Sequence, residues 1–520
     1  MTNMKSSILR KMMTISLILC LMVPVLAACM KKNEEDPDKV RVLRIATNAD
    51  YGMDTEYFRS QFTEIFEYAN PNIEIELIPI YDERQQGGFY GKEGDGLAEG
   101  EEPFDPMKML KELMDSATPP DIVVMQIDDL TELVAENRLT PLDTLMADDK
   151  INIEDFVPSV IEGLKKAGDG GKLYALAPMF TAQALIYNKA MFAEANVTPP
   201  TDRMTWDDIF NLARQVQSGE GEDKKYGFSF TNYSGNDLFY DMTSYMAALD
   251  LRMFDDAGEK MTVATPEWEK VWTTMIGISK EKLLPEPPDY SKPMSEEDMN
   301  KPYQGDNFLS GKVAMTLIDY GWVNQIILAN KNAENTEGYT PIEWDVVTVP
   351  YHEEAFEIGG TSYMNGIMGI NAKGQNPEDA WKFISFINGE EWAKIKSKSS
   401  YTLVSRKSYN KPKDGLDYNM AAFSTLVPAP NPYSNKLYRK YPRLYEVQSI
   451  GQQKFQEALK GTKTVNAALK EWENEGNAML QQFKENPNGG GVNPEPRPID
   501  IVEEEAMTED EMMAEKVKEA

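Results

Sequence analysis

The apolar positions along the chain change period from segment to segment, and each period predicts an element. VRVLRIA at 40–46 has a strand-like pattern, and NIEIELIPI at 72–80 alternates at Ile73, Ile75 and Leu77. Between them, Thr55 to Ala69 carries Phe58, Phe62, Ile65 and Phe66 at helical spacing. A third strand, DIVVMQI at 121–127, is apolar without alternation, as expected of a parallel strand covered on both faces. Strand, helix and strand in succession predict an open α/β sheet flanked by helices. The Gly- and acid-rich stretch 82–105 reads as a surface loop inserted before a helix from about Pro106 to Ser116.

Later helices carry boundary signals. Thr205-Trp206-Asp207-Asp208 resembles a capping box, followed by Ile209, Leu212, Ala213 and Val216 on one face. Asn376-Pro377-Glu378-Asp379 offers an N-cap, a first-turn Pro and two acids at the positive helix end. Ala380, Phe383, Ile384 and Ile387 form the buried stripe, with Gly389 as the expected stop. Residues 284–305 read as a long loop rich in Pro and acids, and 486–520 as an acidic, disordered or weakly helical tail.

The first 29 residues hold both cysteines, Cys20 and Cys29. Lys5, Arg10 and Lys11 form a basic start, and Met12 to Ala28 is a mostly apolar run interrupted by Thr14, Ser16 and Pro24. A spanning helix needs about 20 apolar residues, so the run reads more easily as a secretory signal. Leu26-Ala27-Ala28-Cys29 resembles the bacterial lipobox, at which the Cys thiol is diacylated and the chain is cut before it. An ordinary signal peptide with a chance cysteine and an uncleaved anchor are the alternatives. Residues 29–40 would then be a lipidated tether.

Cleavage after Ala28 removes three basic residues and no acidic one, moving the formal net charge from −32 to −35. A surface this acidic repels phosphate backbones and anionic lipid headgroups, so nucleic-acid binding is not expected and membrane association falls to the lipid on Cys29. With Cys29 the only thiol left, disulfides, cysteine metal sites and a cysteine nucleophile are excluded. His352 is the sole histidine, which rules out a histidine metal cluster. No metal and no cofactor is expected. The 492 residues beyond Ala28 are too many for one typical core and point to two large lobes.

Five further stretches carry a family resemblance: PPDIVVMQIDDLTELVAENRLTPLD (119–143), GKLYALAPMFTAQALIYNKAMFAEANVTPP (171–200) with TWDDI beyond it, FLSGKVAMTLIDYGWV (308–323), GGTSYMNGIMGINAKGQNPEDAWKFISFINGEE (359–391) and TVNAALKEWENEGNAML (464–480). In this order they resemble the extracellular solute-binding proteins of family 1, the receptors of sugar-importing ABC transporters. The resemblance implies a periplasmic-binding-protein-like fold, each lobe an open, mostly parallel sheet flanked by helices, with ligand in the cleft between. Lobe one would be 41–180 plus 351–398, and lobe two 184–347 plus 402–485. Chain crossings would fall near Phe180–Gln183, Val347–Tyr351 and Ser397–Thr402. The implied partners are a small-molecule carbohydrate and membrane permease subunits, with a monomeric receptor held on the outer face of a cell membrane, as a Gram-positive cell requires. The 82–105 insert and the acidic tail depart from the usual pattern.

Ligands of open α/β sheets sit beyond the carboxyl ends of strands. Strand one ends at Asp50 and Tyr51, and strand three at Gln126 and Asp128; these side chains suit hydroxyl recognition and sugar stacking. Asp129 is expected to cap a helix instead. From the other lobe, the family pattern points to Trp322 with Asp319 and Tyr320 beside it, and Asn232 and Tyr233 offer a second platform. Phe180 and Thr181, then Thr361 and Tyr363, would line the hinge side. Tyr187 and Trp381 are assigned to packing.

An exported carbohydrate-active enzyme is the main alternative. It would need two carboxylates about 5–9.5 Å apart, and no acid pair lies in a recognisable catalytic motif. G-x-S-x-G and G-x-x-x-x-G-K-[ST] are absent. A surface adhesin or sensor using the same lobes is the third reading. On the lipoprotein reading, Cys29→Ser should shift the protein from the membrane fraction to the medium, or leave it unprocessed, with ligand affinity unchanged. Retention and normal processing of the variant would refute the tether.

Overall fold

The computed structural model describes residues 39–47, 55–80, 105–233, 237–255, 257–286, 301–359, 362–398, 401–427 and 443–485, together with 429, 437 and 441. The leader, Cys29, the tether up to residue 38, nearly all of the 82–105 insert, residues 287–300 and the 486–520 tail lie outside the described residues.

The first sheet grows from the alternating segments. Strand β1 (Arg41–Thr47) pairs in parallel with β2 (Ile73–Pro79), in register from Arg41↔Ile73 to Thr47↔Pro79. It also pairs in parallel with β3 (Ile122–Met125), whose four residues are all buried, the reason for its unbroken apolar run. The helical segment 55–69 turns Phe58, Phe62 and Phe66 inward through a π-turn at Arg59–Thr63. Phe66 meets Phe383 of helix Pro377–Ile387 edge-on at 5.0 Å between ring centres. Strands β9 (Ile367–Ile370) and β4 (Ala175–Leu176) complete the order β2-β1-β3-β9-β4, both in antiparallel pairing.

The second sheet is organised around one strand, β5 (Met179–Asn188). Its second half pairs with β6 (Met315–Asp319) on one edge and β7 (Trp344–Val347) on the other. Its first half pairs with β8 (Ser362–Asn365) and β10 (Leu403–Val404). All four pairings are antiparallel. The fold is α/β with two sheets, as expected, but strand direction is more mixed than the expected mostly parallel sheets. Only the strand–helix–strand run from 41 to 125 forces parallel neighbours; strands that return from elsewhere in the chain enter in either direction.

Two short links join the sheets. The chain leaves β4 and enters β5 through Ala177 and Pro178, just before the expected Phe180–Gln183. It passes from β8 to β9 through Gly366, well after the expected Val347–Tyr351. Gly366 has φ +68°, and a Cβ there would lie 2.6 Å from Phe62 Cε1, so this link needs glycine. Accordingly, 351–359 contacts the second sheet's surroundings: Trp206 N donates to Tyr351 O at 3.1 Å and Gly359 N to Val427 O at 2.8 Å. Just past β10, Ser405 N donates to Pro178 O at 2.9 Å, and the buried Arg406 reaches the first sheet's surroundings, donating to Asn388 O at 2.9 Å and Asn152 O at 3.0 Å.

Helix starts follow the sequence signals. Asp105 Oδ1 accepts from Met107 N (2.9 Å) and Lys108 N (3.2 Å), opening helix Pro106–Met114. Thr205 and Asp208 form the expected capping box of helix Trp206–Val216. Two signals are used differently. The Asn376 side chain does not cap its own helix but donates to Val42 O at 3.1 Å, tying the helix to β1. Gly389 does not end a helix in the left-handed region; it is extended, with φ −83°, and precedes helix Glu390–Lys396.

A second hydrophobic core lies beyond the second sheet, where helix Leu444–Leu459 crosses helix Val465–Glu485. Gly451 lets them approach: a Cβ would come 2.5 Å from Trp472 Cε2 and Cζ2. The ring cannot move aside freely, because its indole donates to Val447 O at 2.8 Å. Gly451→Val should therefore cost about 1–3 kcal/mol of stability through overpacking, more than the few tenths gained in helix preference. A lower urea midpoint is expected, and an unchanged midpoint would refute the close crossing.

Candidate functional site

Opposed residues of paired strands share a face, and so do alternate residues of one strand. In β5 the odd positions Thr181 and Gln183 are half-buried, whereas Phe180, Ala182 and Ala184 are buried in the core. Thr181 is opposite Tyr363 of β8, and Gln183 opposite Asp319 of β6. Farther along the same face, Leu185, Leu317 and Val347 enter the second core. One face of the sheet is thus open only where Thr181, Gln183, Asp319 and Tyr363 meet. The Thr181 hydroxyl donates to Tyr363 O at 3.5 Å.

Asp319 reaches solvent, yet surrounding protein desolvates its carboxyl group and raises the pKa from 3.8; a hydrogen bond from the Gln183 side chain opposes the shift. The Asp319 carboxyl group thus meets both solvent and protein at the border of the open face. No cation contributes to that shift.

Beyond β6, a short turn at Tyr320–Trp322 leads into helix Val323–Lys331. Trp322 is half-buried, its indole donating to Asp306 Oδ2 at 3.0 Å and its ring edge-on to Phe308 at 5.8 Å. Asn232 Nδ2 donates to the same Asp306 oxygen at 2.8 Å, and Tyr233, 53 % exposed, forms a bridge with Asp306. Burial raises the Asp306 pKa against the hydrogen bonds from Leu309 N, Asn232, Trp322 and Phe308 N. Tyr401 reaches the same turn: a Cβ on Gly321 would lie 3.2 Å from Tyr401 O, and the Tyr401 ring is largely exposed.

The expected residues therefore divide. Thr181, Asp319 and Tyr363 share one face, and Asn232, Tyr233 and Trp322 are gathered around Asp306. Phe180 and Tyr320 are not brought to this face: Phe180, 1 % exposed, lies on the opposite face of β5. Tyr320, 2 % exposed, packs on Phe423 at 5.3 Å. Its ring also carries Lys413 Nζ 4.8 Å from the ring centre, and burial brings that amine down to about 8. Gln126 and Asp128 stand at the carboxyl end of β3 on the first sheet, where Asp129 Oδ2 accepts from Gln126 N at 3.1 Å, as a capping residue does. Asp50, Tyr51, Thr361 and Cys29 lie outside the described residues. Gln183, Asp306 and Tyr401 were missed. Gln183 could have been found by period two from Thr181, and Asp306 from its Asp-Asn-Phe turn sequence; Tyr401 leaves no local signal.

The sequence matches the bacterial extracellular solute-binding proteins over residues 52–394. The chain belongs to that family. A protein named as a binding protein in Brucella abortus is 23% identical over 402 residues, covering 74% of this chain and 81% of the relative. Among solved structures, a sugar transporter from Rhizobium etli in an open conformation is similar at a TM-score of 0.55 and 18% identity, covering 84% of this chain and 99% of the other. The sugar-binding protein MalE of Xanthomonas citri gives 0.54 and 15%, covering 87% and 100%. An extracellular solute-binding protein family 1 member from Alicyclobacillus acidocaldarius gives 0.56 and 17%, covering 85% and 99%. These likenesses establish the two-lobed fold of this solute-binding protein.

The one histidine has a structural place. His352 is buried, its Nε2–H donating to Tyr245 O at 2.6 Å, with the Tyr245 ring edge-on at 4.6 Å. Among the described residues no group of His, Cys, Asp and Glu could hold a metal, and no helix is long and apolar enough to cross a membrane. Burial lowers the His352 pKa from 6.5, against the Tyr245 carbonyl. Below about pH 6.5 the unfolded chain binds a proton at this position that the folded protein refuses, so stability falls with pH. His352→Gln should flatten the stability profile between pH 7.5 and 5.5, read by urea unfolding; an unaltered slope would exclude a buried neutral imidazole.

Proposed function

We propose that this solute-binding protein captures a sugar, with preference for an oligosaccharide, between its lobes and delivers it to the permease subunits of an ABC importer. The observation that carries this reading is the open face itself. It offers uncharged and anionic acceptors at Thr181, Gln183 and Asp319 with the aromatic ring of Tyr363, and Asp319 ends the strand that leads into the turn carrying Trp322. Vicinal hydroxyls need such planar acceptors, and the apolar faces of pyranose rings need aromatic platforms. The solved proteins from Rhizobium etli and Xanthomonas citri, described as a sugar transporter and a sugar-binding protein, support the same ligand class.

Ligand that touches both lobes only when they close draws the population toward the closed form through its differential affinity. The first lobe would present Gln126 and Asp128, with Asp50, Tyr51 and Thr361 as further expected contacts. In this proposal each lobe is built around one of the two sheets. The closed receptor then docks on its permease. A diacylglycerol on Cys29 would hold a monomeric receptor at the outer membrane face, since two chains anchor far better than one.

A thermal-shift screen of residues 30–520 against mono- and oligosaccharides tests the ligand class, because binding to the native state alone raises apparent stability by RT ln(1 + [L]/Kd). Trp322→Ala should weaken binding of the best sugar at least about tenfold, about 1.4 kcal/mol, with an unchanged circular dichroism spectrum. Undiminished affinity would remove Trp322 from the site, and the absence of any sugar hit would refute the ligand class.

A further inference from the structure

Asp306 divides its acceptors between two tasks. Oδ1 accepts from Phe308 N at 2.9 Å and Leu309 N at 2.8 Å, closing its own turn. Oδ2 accepts from Asn232 Nδ2 at 2.8 Å and Trp322 Nε1 at 3.0 Å, groups from two segments distant in sequence. These bonds fill the roughly four lone-pair sites of a carboxylate. The segment is itself held, since Asp306 bridges Tyr233 and Asn307 N donates to Asn232 O at 2.5 Å. Trp322 is fixed at its polar tip by Asp306 and along its ring by Phe308.

We infer that Asp306 is a positioning residue that fastens the Trp322 ring to the Asn232–Tyr233 segment, so that the sugar platform is preformed before ligand arrives. The inference rests on the reading of Trp322 and Asn232 as ligand-facing. The chemistry requires a carboxylate. Two N–H donors converge on one oxygen, and an amide could offer either its oxygen to this pair or its oxygen to the turn, never both. Asn side chains readily hydrogen-bond their own backbone two residues on, so in Asp306→Asn the oxygen stays with the turn to Phe308 N and Leu309 N while the amide nitrogen faces the Trp322 indole, donor to donor. A ring free to sample several orientations must be ordered at the moment of binding, which costs affinity.

The test begins without ligand. In a ¹H–¹⁵N spectrum of the 30–520 protein, the Trp322 indole N–H is assigned by its absence in Trp322→Phe. It should be protected from solvent exchange in the wild type and exchange at least about tenfold faster in Asp306→Asn. Unchanged exchange and chemical shift in Asp306→Asn would overturn the inference, as would a lowered melting temperature with the indole still protected, the outcome of a purely structural role. Should Asp306→Asn not fold, rapid exchange of this N–H in the wild type would overturn it equally, and protection there would uphold the bond. Affinities for maltotriose, cellotriose and xylotriose then connect the fastener to binding. Asp306→Asn and Trp322→Phe should each weaken the sugar that binds, and the double variant should lose less than the product of the two losses. Strictly multiplicative losses would overturn the coupling. If none of the three sugars binds the wild type, the sugar reading fails while the exchange result still decides the role of Asp306.

Discussion

Strand β5 is the element on which the two sheets depend. A strand has two edges and two faces, and this one commits nearly all of them. β8 and β10 take the edges of its first half, β6 and β7 those of its second. Ala182, Ala184 and Ile186 enter one core while Leu185 and Tyr187 enter the other. What remains open is the short stretch at Thr181 and Gln183, where the sheet passes from the links between lobes to the body of the second lobe. A register slip of one residue would bury these polar side chains and expose Phe180, so the packing that stabilises the strand also fixes which residues the open stretch presents.

The same parity shows why the fold was more legible than the site. Local signals sufficed for β1, β2 and the helix over 55–69, because Ile73, Ile75 and the phenylalanines at helical spacing state their own faces. Asp105, Thr205 and Pro377 mark helix starts with chemistry that needs no partner from afar. In MFTAQALIYN, by contrast, the chain is too apolar to show which face is open, so Phe180 and Thr181 looked equivalent. The links at Pro178 and Gly366 were hidden for a similar reason: they are single short passages whose meaning is set by Phe62 and Ser405, far away in sequence. Asp306 looked like a loop acid among many; only the arrival of Asn232 and Trp322 distinguishes it.

Charge acts on two scales here. The formal net charge of −32 governs what the surface repels, and it is screened within about 10 Å at 0.1 M salt. It does little to choose the fold, since exposed ion pairs such as Lys331–Asp414 contribute small energies. Buried charges are more selective. Arg406, 4 % exposed, is held by Asn388 O and Asn152 O and lies 4.2 Å from the Phe156 ring centre, tying the returning segment to the first lobe. Arg41 grips Asp379 through two hydrogen bonds, at 2.8 and 3.0 Å, joining β1 to the helix that covers it.

Asp306 and Asp319 show one physical effect in two settings. Desolvation raises the pKa of both Asp306 and Asp319, and a raised carboxyl pKa is also what a glycosidase gives its general acid. Asp306 cannot act so: four donors already occupy it, and protonation would break the bonds that hold Trp322. Asp319 is different, since only the Gln183 side chain opposes its desolvation. A glycosidase pairs such an acid with a second carboxylate about 5–9.5 Å away to supply water or a nucleophile; in a binding protein it is an acceptor that waits for donors. On the proposed sugar reading, ligand hydroxyl groups would return to Asp319 hydrogen bonds that desolvation removes, so the effect that tunes a catalytic acid elsewhere would here favour the filled receptor.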